Sequence, residues 1–311
     1  MDDKKCLLII DSNSLLHRAF HALPPLTTKK GEQTGAIYGF LLILFKAIKD
    51  INPLYVVACF DLPVPTFRHK KFEGYKAKRP KTPEEIKKQL PKIKEVLRAF
   101  GIPIFEKEGF EADDLIATIS TKAGEENNQI ERYILSGDLD NLQLVDERTK
   151  VYTLGRGIKE TIVYDKEKVV SRFEVLPEQM IDFKALTGDA SDNIPGVPGI
   201  GKKTAAEIIK KFNTLEDLYQ KIEKSDADIS QRTREILIKN KKQAFLCRFL
   251  AEMKKDVAID FNIKEARFGG FDQKKIEGIL NEFEFYSLVK RIPEICRSIE
   301  PVKYNLKLLG L

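Results

Sequence analysis

The chain has 311 residues, enough for one large domain or two unequal domains with a substantial buried core. Its 42% hydrophobic and 32% charged residues exclude collagen-like, low-complexity and wholly disordered proteins. The 53 Lys and Arg residues and the 47 Asp and Glu residues leave a net charge of +6, a modest excess that conceals strong local charge.

Three short apolar runs predict buried parallel strands in the first half of the chain. They cover residues 6–11, 54–61 and 133–138, and each run ends in an acidic residue. None of them shows the alternation of a half-exposed strand, so we expect both faces of the sheet to be covered.

Helical spacing fills the stretches between these strands. Residues 37–51 and 86–100 are examples, and residues 82–85 give the second helix a cap, a first-turn proline and two acids. Further helices are predicted at 115–122, 203–212, 214–222, 233–250 and 273–291. The pattern predicts an α/β core with a parallel sheet over residues 1–184 and a smaller, mostly helical region over residues 185–311.

The four cysteines lie far apart without a Cys-x-x-Cys pair, which favours reduced core cysteines over a disulfide framework or a zinc site. The apolar run at residues 6–10 is too short for a signal peptide. The longest apolar run, residues 40–45, is far short of the roughly 18 residues that span a bilayer. We therefore expect a cytoplasmic protein without a membrane partner.

Nine acidic residues follow the predicted strands or precede predicted helices. They are Asp11, Asp61, Glu111, Asp113, Asp114, Asp138, Asp140, Asp189 and Asp192. Each one alone could be a helix cap or a turn former. However, the carboxyl ends of parallel strands meet at one edge of a sheet, so that the acids after the three strands converge. Because packed carboxylates repel one another, some members of the cluster must become protonated or bind cations.

Hard divalent cations suit such a cluster, since its donors are oxygen atoms and the chain offers few His and no clustered Cys residues. Two such ions about 4 Å apart clamp the attacking and leaving oxygens of a phosphoryl displacement. The sequence thus predicts a phosphodiester hydrolase whose carboxylates serve mainly as metal ligands.

A basic segment, residues 67–81, carries seven Lys and Arg residues and one acid, Glu73. Its charges alternate with aromatic residues, which suits a phosphate backbone and stacked bases. The candidate DNA-binding residues are Arg68, Lys70, Lys71, Tyr75, Lys76 and Arg79. Lys76 and Arg79 are also candidates to bring positive charge to the scissile phosphate. A solvated surface loop is the alternative.

A glycine hairpin at residues 196–205 (GVPGIGKKTA) nearly matches a P-loop. Nucleotide binding is not expected, because position 203 is Lys where Mg²⁺ needs a hydroxyl and no apolar strand precedes the hairpin. Exposed N–H groups at the start of the following helix instead predict a sequence-neutral grip on phosphate. The candidate residues are Gly199, Gly201, Lys202, Lys203 and Thr204. A plain Gly/Pro turn is the alternative.

His17 and His21 have the i, i+4 spacing of a helix, but no Glu lies between them in a zincin pattern, so a packing or polar role is expected.

Together these motifs resemble the 5′-nuclease family, which includes the N-terminal domain of bacterial DNA polymerase I, bacteriophage 5′-nucleases and flap endonucleases. The resemblance is carried by LIIDSN at 8–13, FRH at 67–69, GYK at 74–76, EADD at 111–114, the stretch 185–205 and EFEFYSL at 282–288. It implies a PIN-like nuclease core with a flexible arch at about residues 66–98 and a helix-hairpin-helix element at the glycine hairpin.

The resemblance also implies two metal positions. Ligands nearer the first are Asp11, Asp61, Glu111 and Asp113, and those of the second are Asp138, Asp140 and Asp192, with Asp114 and Asp189 in support. The implied cofactors are two Mg²⁺ ions, for which Mn²⁺ substitutes, and a K⁺ ion among the backbone carbonyls of the hairpin. Lys76 and Arg79 are placed at the base of the arch.

The implied activity is structure-specific cleavage of DNA at 5′ ends, flaps, nicks and branches, in primer removal and repair, with RNA primers as further substrates. We expect a monomer, either freestanding or excised from a polymerase, with a polymerase partner in trans left open and no polymerising activity in these residues. Two alternatives remain: a non-catalytic branched-DNA-binding module, and a small-molecule phosphohydrolase, which leaves the basic segment and the hairpin unexplained.

Overall fold

The computed structural model describes residues 5–155, 157 and 160–299. Its strands are β1 (Cys6–Asp11), β2 (Tyr55–Cys59), β3 (Ile104–Phe105), β4 (Glu131–Leu135), β5 (Thr149–Leu154) and β6 (Thr161–Tyr164). Its α-helices are α1 (Ser12–Ala22), α2 (Gly35–Ile51), α3 (Phe67–Lys71), α4 (Glu84–Ala99), α5 (Ala112–Glu126), α6 (Lys166–Phe173), α7 (Met180–Thr187), α8 (Lys202–Phe212), α9 (Leu215–Glu223), α10 (Gln231–Lys239), α11 (Lys241–Ala251), α12 (Gln273–Glu282), α13 (Tyr286–Val289) and α14 (Ile292–Ile299). Residues 1–4 and 300–311 of the two predicted regions lie outside the described residues.

The strands form one sheet in the order β3-β2-β1-β4-β5-β6. Neighbours from β3 to β5 are parallel, and β6 pairs antiparallel with β5 at the edge. Asp11 lies beside Cys59, and Ile10 beside Leu135, so the carboxyl ends of the three central strands are level. The predicted α/β fold with a parallel sheet is confirmed.

Helices cover both faces of the sheet, which explains why the central strands are apolar throughout. Leu7 and Ile9 of β1 belong to the buried cluster that includes residues of α5 and of α7 to α11, whereas Leu8 and Ile10 belong to the cluster that includes residues of α1, α2, α4 and α12 to α14. All four side chains are buried. A strand buried on both faces gains from apolar residues at every position.

The strand predictions need two corrections. β2 and β4 end at Cys59 and Leu135, and the chain continues as a loop before it reaches Asp61 and Asp138. The structure also contains β3, β5 and β6, which the sequence did not reveal. β3 has only two residues and β6 only four, and β5 mixes polar with apolar residues, so none of them stands out as an apolar run.

Two long predicted helices are each divided in the structure. The predicted helix at 233–250 is α10 and α11, with Asn240 between them outside helical geometry. The predicted helix at 273–291 is broken at Glu284, which adopts a left-handed φ of 59°. Both breaks turn the chain so that the next helix packs on the core.

The last helices return to the nuclease core. Phe285 and Ile292 are buried in the cluster that α2 and α4 form on one face of the sheet. No strand follows β6 among the described residues, in line with the predicted helical C-terminal half. The boundary at residue 184 remains a prediction. Within the same part of the chain, no helix is long and apolar enough to cross a membrane.

Candidate active site

Asp11 and Asp61 begin the carboxylate cluster at the carboxyl ends of β1 and β2. Asp11 caps α1 by accepting the Ser14 N–H at 3.2 Å, and its other oxygen accepts the Ser136 hydroxyl at 2.6 Å. Asp61 accepts the N–H of Ala112, at the start of α5, at 2.7 Å. Hydrogen bonds from three separate segments therefore fix these two carboxylates.

The N-terminus of α5 supplies the next three acids. Glu111 and Asp114 form a capping box at this helix end, and both are buried. Asp113, which lies between them in the sequence, accepts a hydrogen bond from the side-chain amide of Asn141 at 3.2 Å. A helix N-terminus stabilises negative charge, which helps to hold several carboxylates here.

Arg68 and Asp114 form a buried pair beneath the cluster. Two nitrogens of the guanidinium donate to the two carboxylate oxygens, each at 2.8 Å, and Arg68 is 2% exposed. Arg68 also donates to the backbone carbonyls of Leu250 and Glu252. In this structure the charge of Arg68 is enclosed by protein and serves the fold, and its predicted contact with DNA stays a prediction.

Asp114 is likewise saturated, since it also accepts the N–H groups of Glu111 and Lys254. Its predicted supporting role fits this geometry, but direct metal ligation does not, since its oxygens already accept four hydrogen bonds.

A second group of acids lies after β4 and in the loop after α7. Asp138 accepts the N–H of Asp140 at 2.9 Å, which folds both residues into one turn. The loop at residues 188–196 carries Asp189 and Asp192. It is closed by paired hydrogen bonds between Asp189 and Ile194, each at 2.8 Å.

Glycine is required at both ends of this loop. Gly188 and Gly196 have φ values of 75° and 67°. A Cβ on Gly196 would lie 2.4 Å from the Gly188 nitrogen. The two backbones thus pack at a distance that no side chain allows.

Lys184, near the end of α7, joins the acids of the second group. Its Nζ contacts Asp140 Oδ1 and lies 2.8 Å from Asp189 Oδ2, and its side chain is 14% exposed. Sequence reasoning missed this residue, because a single Lys in a helix carries no signal of its own. Ser136 and Asn141, which hold Asp11 and Asp113, were missed for the same reason.

Tyr75, Lys76 and Arg79 of the basic segment reach into the cluster, while Lys70, Lys71 and Lys78 of the same segment are exposed. Lys76 Nζ donates to Glu111 Oε2 at 2.9 Å, and Arg79 donates to Asp192 Oδ1 at 2.6 Å. The Tyr75 hydroxyl is 3.0 Å from both Glu111 Oε2 and Asp192 Oδ2. Tyr75 is 3% exposed, and its phenol links the two groups of acids in this structure. Its predicted contact with DNA stays a prediction.

Burial and mutual repulsion shape the protonation of the cluster. Burial raises the pKa of Asp11 and of Asp61, against the hydrogen bonds that each accepts. Burial, followed by the charges of Asp11 and Asp138, raises the pKa of Asp113 well above its usual range. Burial and Asp138 raise the pKa of Asp140 to about 7, although Lys184 opposes this shift. A positive charge brought to the cluster would therefore stabilise its ionised carboxylates.

The donor set fits hard divalent cations, but cationic side chains hold the acids in this structure. No three Asp, Glu, His or Cys side chains of the described residues stand together as a complete metal site. Lys76, Arg79 and Lys184 contact the acids instead. Within the same residues, the buried Oδ1 of Asn141 beside Asp113 has no hydrogen-bond partner. A hard cation needs oxygen ligands that are not already occupied by hydrogen bonds, and this amide oxygen is one of them.

The glycine hairpin connects α7 to α8, as a helix-hairpin-helix element would. Gly199 has a φ of 89°, and Gly201 caps α8 without a side-chain hydrogen bond. Gly199, Lys202 and Lys203 are exposed, as are Lys70 and Lys71 in α3. These residues can meet a phosphate backbone, and their predicted DNA contacts stay predictions.

Comparison with known sequences gives two matches to family models. The model described as 5′-3′ exonuclease, N-terminal resolvase-like domain, matches residues 6–174, and the one described as 5′-3′ exonuclease, C-terminal SAM fold, matches residues 175–274. The chain is 39% identical over 94% of its length to DNA polymerase I of Bacillus subtilis, of which it spans 33%. It is also 39% identical to a 5′-3′ exonuclease of Aquifex aeolicus, over 94% of this chain and 97% of that one.

The fold is shared with a solved bacteriophage structure. A T5 flap endonuclease, crystallised as a pseudo-enzyme–product complex with DNA and metal ions, matches with a TM-score of 0.65 at 20% identity. The match covers 94% of this chain and all of that one. The chain spans about a third of the polymerase relatives.

Proposed function

The chain belongs to the 5′-3′ exonuclease family and is a nuclease, and we propose that it cleaves DNA at 5′ ends and flaps with the help of divalent metal ions. One observation carries the proposal. Acids from five segments of the chain converge at one edge of the sheet, within reach of Lys76 and Arg79 and next to the hairpin that leads into α8.

The proposed metal ligands form two groups. The first contains Asp11, Asp61, Glu111 and Asp113, and the second contains Asp138, Asp140, Asp189 and Asp192. We propose Mg²⁺ as the physiological ion, with Mn²⁺ as a substitute, because every donor is a hard oxygen. When bound, two such ions supply activation of a water molecule and stabilisation of the leaving oxygen. The protein holds the carboxylates rigidly through Ser14, Ser136 and Asn141.

Lys76 and Arg79 supply the positive charge for the scissile phosphate. They now neutralise Glu111 and Asp192, which shows that their side chains reach the cluster. A DNA phosphate in the site would give Lys76 and Arg79 a new partner, and Glu111 and Asp192 would then be available to hold metal ions. A fixed cation beside the reacting phosphate stabilises charge that develops in the transition state.

The duplex part of the substrate binds at the hairpin. The free N–H groups at the start of α8, with Gly199, Gly201, Lys202, Lys203 and Thr204, suit a phosphate backbone without regard to sequence. Lys70 and Lys71 extend the basic surface toward the single-stranded part. A K⁺ ion at the hairpin carbonyls belongs to the same proposal.

The wider role follows from the relatives. Their names support cleavage next to DNA synthesis, in primer removal and repair, and we extend the proposal to RNA primers. The proposal also covers organisation and partners. It includes a nuclease core at residues 1–184 with an arch at about 66–98, and a DNA-binding region at 185–311. It further includes a cytoplasmic monomer and a polymerase partner in trans.

A 5′-labelled flap and the matching blunt duplex test the proposal directly. Cleavage is measured with Mg²⁺, with a chelator, and with Asp138→Ala, while Asp226→Ala, at an exposed acid far from the cluster in sequence, is the control. We expect Mg²⁺-dependent release from the flap that Asp138→Ala abolishes without loss of flap binding. Tight flap binding without cleavage under any metal would instead identify a DNA-binding module.

A further inference from the structure

Lys184 is a buried cation inside the second group of acids. It lies on α7, and its ammonium bridges Asp140, from the turn after β4, and Asp189, from the loop after α7. The backbone carbonyl of Lys184 accepts the Gly188 N–H at 2.8 Å, which ties the end of α7 to that loop. The side chain therefore starts from a fixed position next to both acids.

The environment of Lys184 favours its charged form. Burial alone would lower the pKa of Lys184, but Asp140 and Asp189 raise it overall. Burial would raise the pKa of Asp189, yet Lys184 and the hydrogen bonds from Ser191 lower it. Two acids that would repel each other are thus held by one ammonium group.

We propose that Lys184 is a positioning residue that serves as a built-in counter-ion, holding Asp140 and Asp189 together in the metal-free protein and weakening the binding of a divalent ion there. This inference rests on the metal-binding role proposed above.

The physical reason is that the ammonium and a divalent ion draw on the same oxygens. If Lys184 stays beside Asp140 and Asp189, its charge repels the ion. If Lys184 leaves, its two ion pairs with these acids are lost. In both cases the presence of Lys184 reduces the affinity for the ion.

A divalent-ion titration of the full chain tests the inference without using activity. Free Mn²⁺ is followed by its electron paramagnetic resonance signal, and the melting temperature is measured with a chelator and with Mn²⁺. The variants are Lys184→Met, which keeps the length without the charge, and Lys184→Gln, which still donates to one acid. Lys184→Arg keeps the charge, and Lys210→Met removes an exposed lysine that pairs with Glu174.

In both uncharged variants we expect one Mn²⁺ to bind about tenfold more tightly or better, because a nearby positive charge is gone. Their melting temperature should fall in the chelator and rise more on Mn²⁺ addition than that of the wild type. Lys184→Arg and Lys210→Met should bind Mn²⁺ like the wild type. A variant that folds only with Mn²⁺ would also support the counter-ion role.

Unchanged or weaker Mn²⁺ binding by either uncharged variant would overturn the inference. A wild-type chain that binds no Mn²⁺ would instead refute the proposed metal-dependent function, so the two failures can be told apart.

Discussion

The backbone N–H of Lys76 donates to the carbonyl of Asp192 at 2.9 Å, and the Lys76 Nζ lies 3.8 Å from the carboxylate of the same residue. Lys76 adopts a left-handed φ of 54°, which is unfavourable for a residue with a side chain by roughly 1 kcal/mol or more. Asn193 strengthens the junction by donating to the Gly74 carbonyl at 2.6 Å. The basic segment and the loop at 188–196 therefore form one unit, which aims the Lys76 charge at the acids.

Lys76→Met should slow single-turnover cleavage by about 10²-fold, the usual effect of removing one group that stabilises transition-state charge. Duplex affinity should change little, because the hairpin holds the duplex. Lys78→Met, at an exposed position in the same segment, should cleave normally. Rapid-quench kinetics measure the cleavage rate, and a binding titration measures the duplex affinity. An unchanged rate would show that Lys76 takes no part in the reaction.

Replacing Lys202 and Lys203 together with Ala should weaken duplex binding almost regardless of sequence. Each phosphate contact that is lost should flatten the slope of log affinity against log salt by about 0.9. Binding at several salt concentrations measures this slope. The control replaces Lys274 and Lys275, two consecutive exposed lysines on α12, with Ala. A slope equal to the wild type would return the hairpin to a plain turn.

Arg68→Met should destabilise the fold by about 3–5 kcal/mol, since it leaves the buried Asp114 carboxylate without its cation. Denaturation by urea in the presence of chelator measures the loss. Lys70→Met, on the same short helix but exposed, should have the stability of the wild type. Normal stability of Arg68→Met together with lost DNA affinity would show that Arg68 does contact DNA.

His17 should contribute a loss of stability as the pH drops from about 7 toward 5, whereas Asp140, whose pKa is raised to about 7, contributes in the opposite direction over the same range. Burial, followed by repulsion from His21 and Arg79, lowers the pKa of His17 below 6.5. As the pH falls, His17 therefore takes up a proton in the unfolded chain before it does so in the folded protein. The resulting loss of folding free energy begins near the pKa of His17 in the unfolded chain and is complete below its pKa in the folded protein.

His17→Gln should reduce this loss, as seen in the free energy of unfolding measured across the range. His21→Gln, at an exposed position, should keep most of it. An identical pH dependence in the His17 variant and the wild type would contradict the assignment.

Much of the core could be predicted, because its signals are local. Fully apolar runs identified β1, β2 and β4, and parallel pairing then placed Asp11, Asp61 and Asp138 at one edge. β5 mixes polar and apolar residues, and the break at Asn240 depends on where α11 packs, so neither could be inferred from spacing.

The sequence by itself determined which acids meet, since the ends of the apolar strands and the starts of the helices follow from residue type and spacing. Only the tertiary structure decided which cation each acid holds. Arg68 pairs with Asp114 underneath the site, whereas Lys184 and Lys76 enter it, although all three are simple basic residues in the sequence. Burial of a charge depends on the partner that the fold brings to it from a distant segment, and no local pattern records that partner.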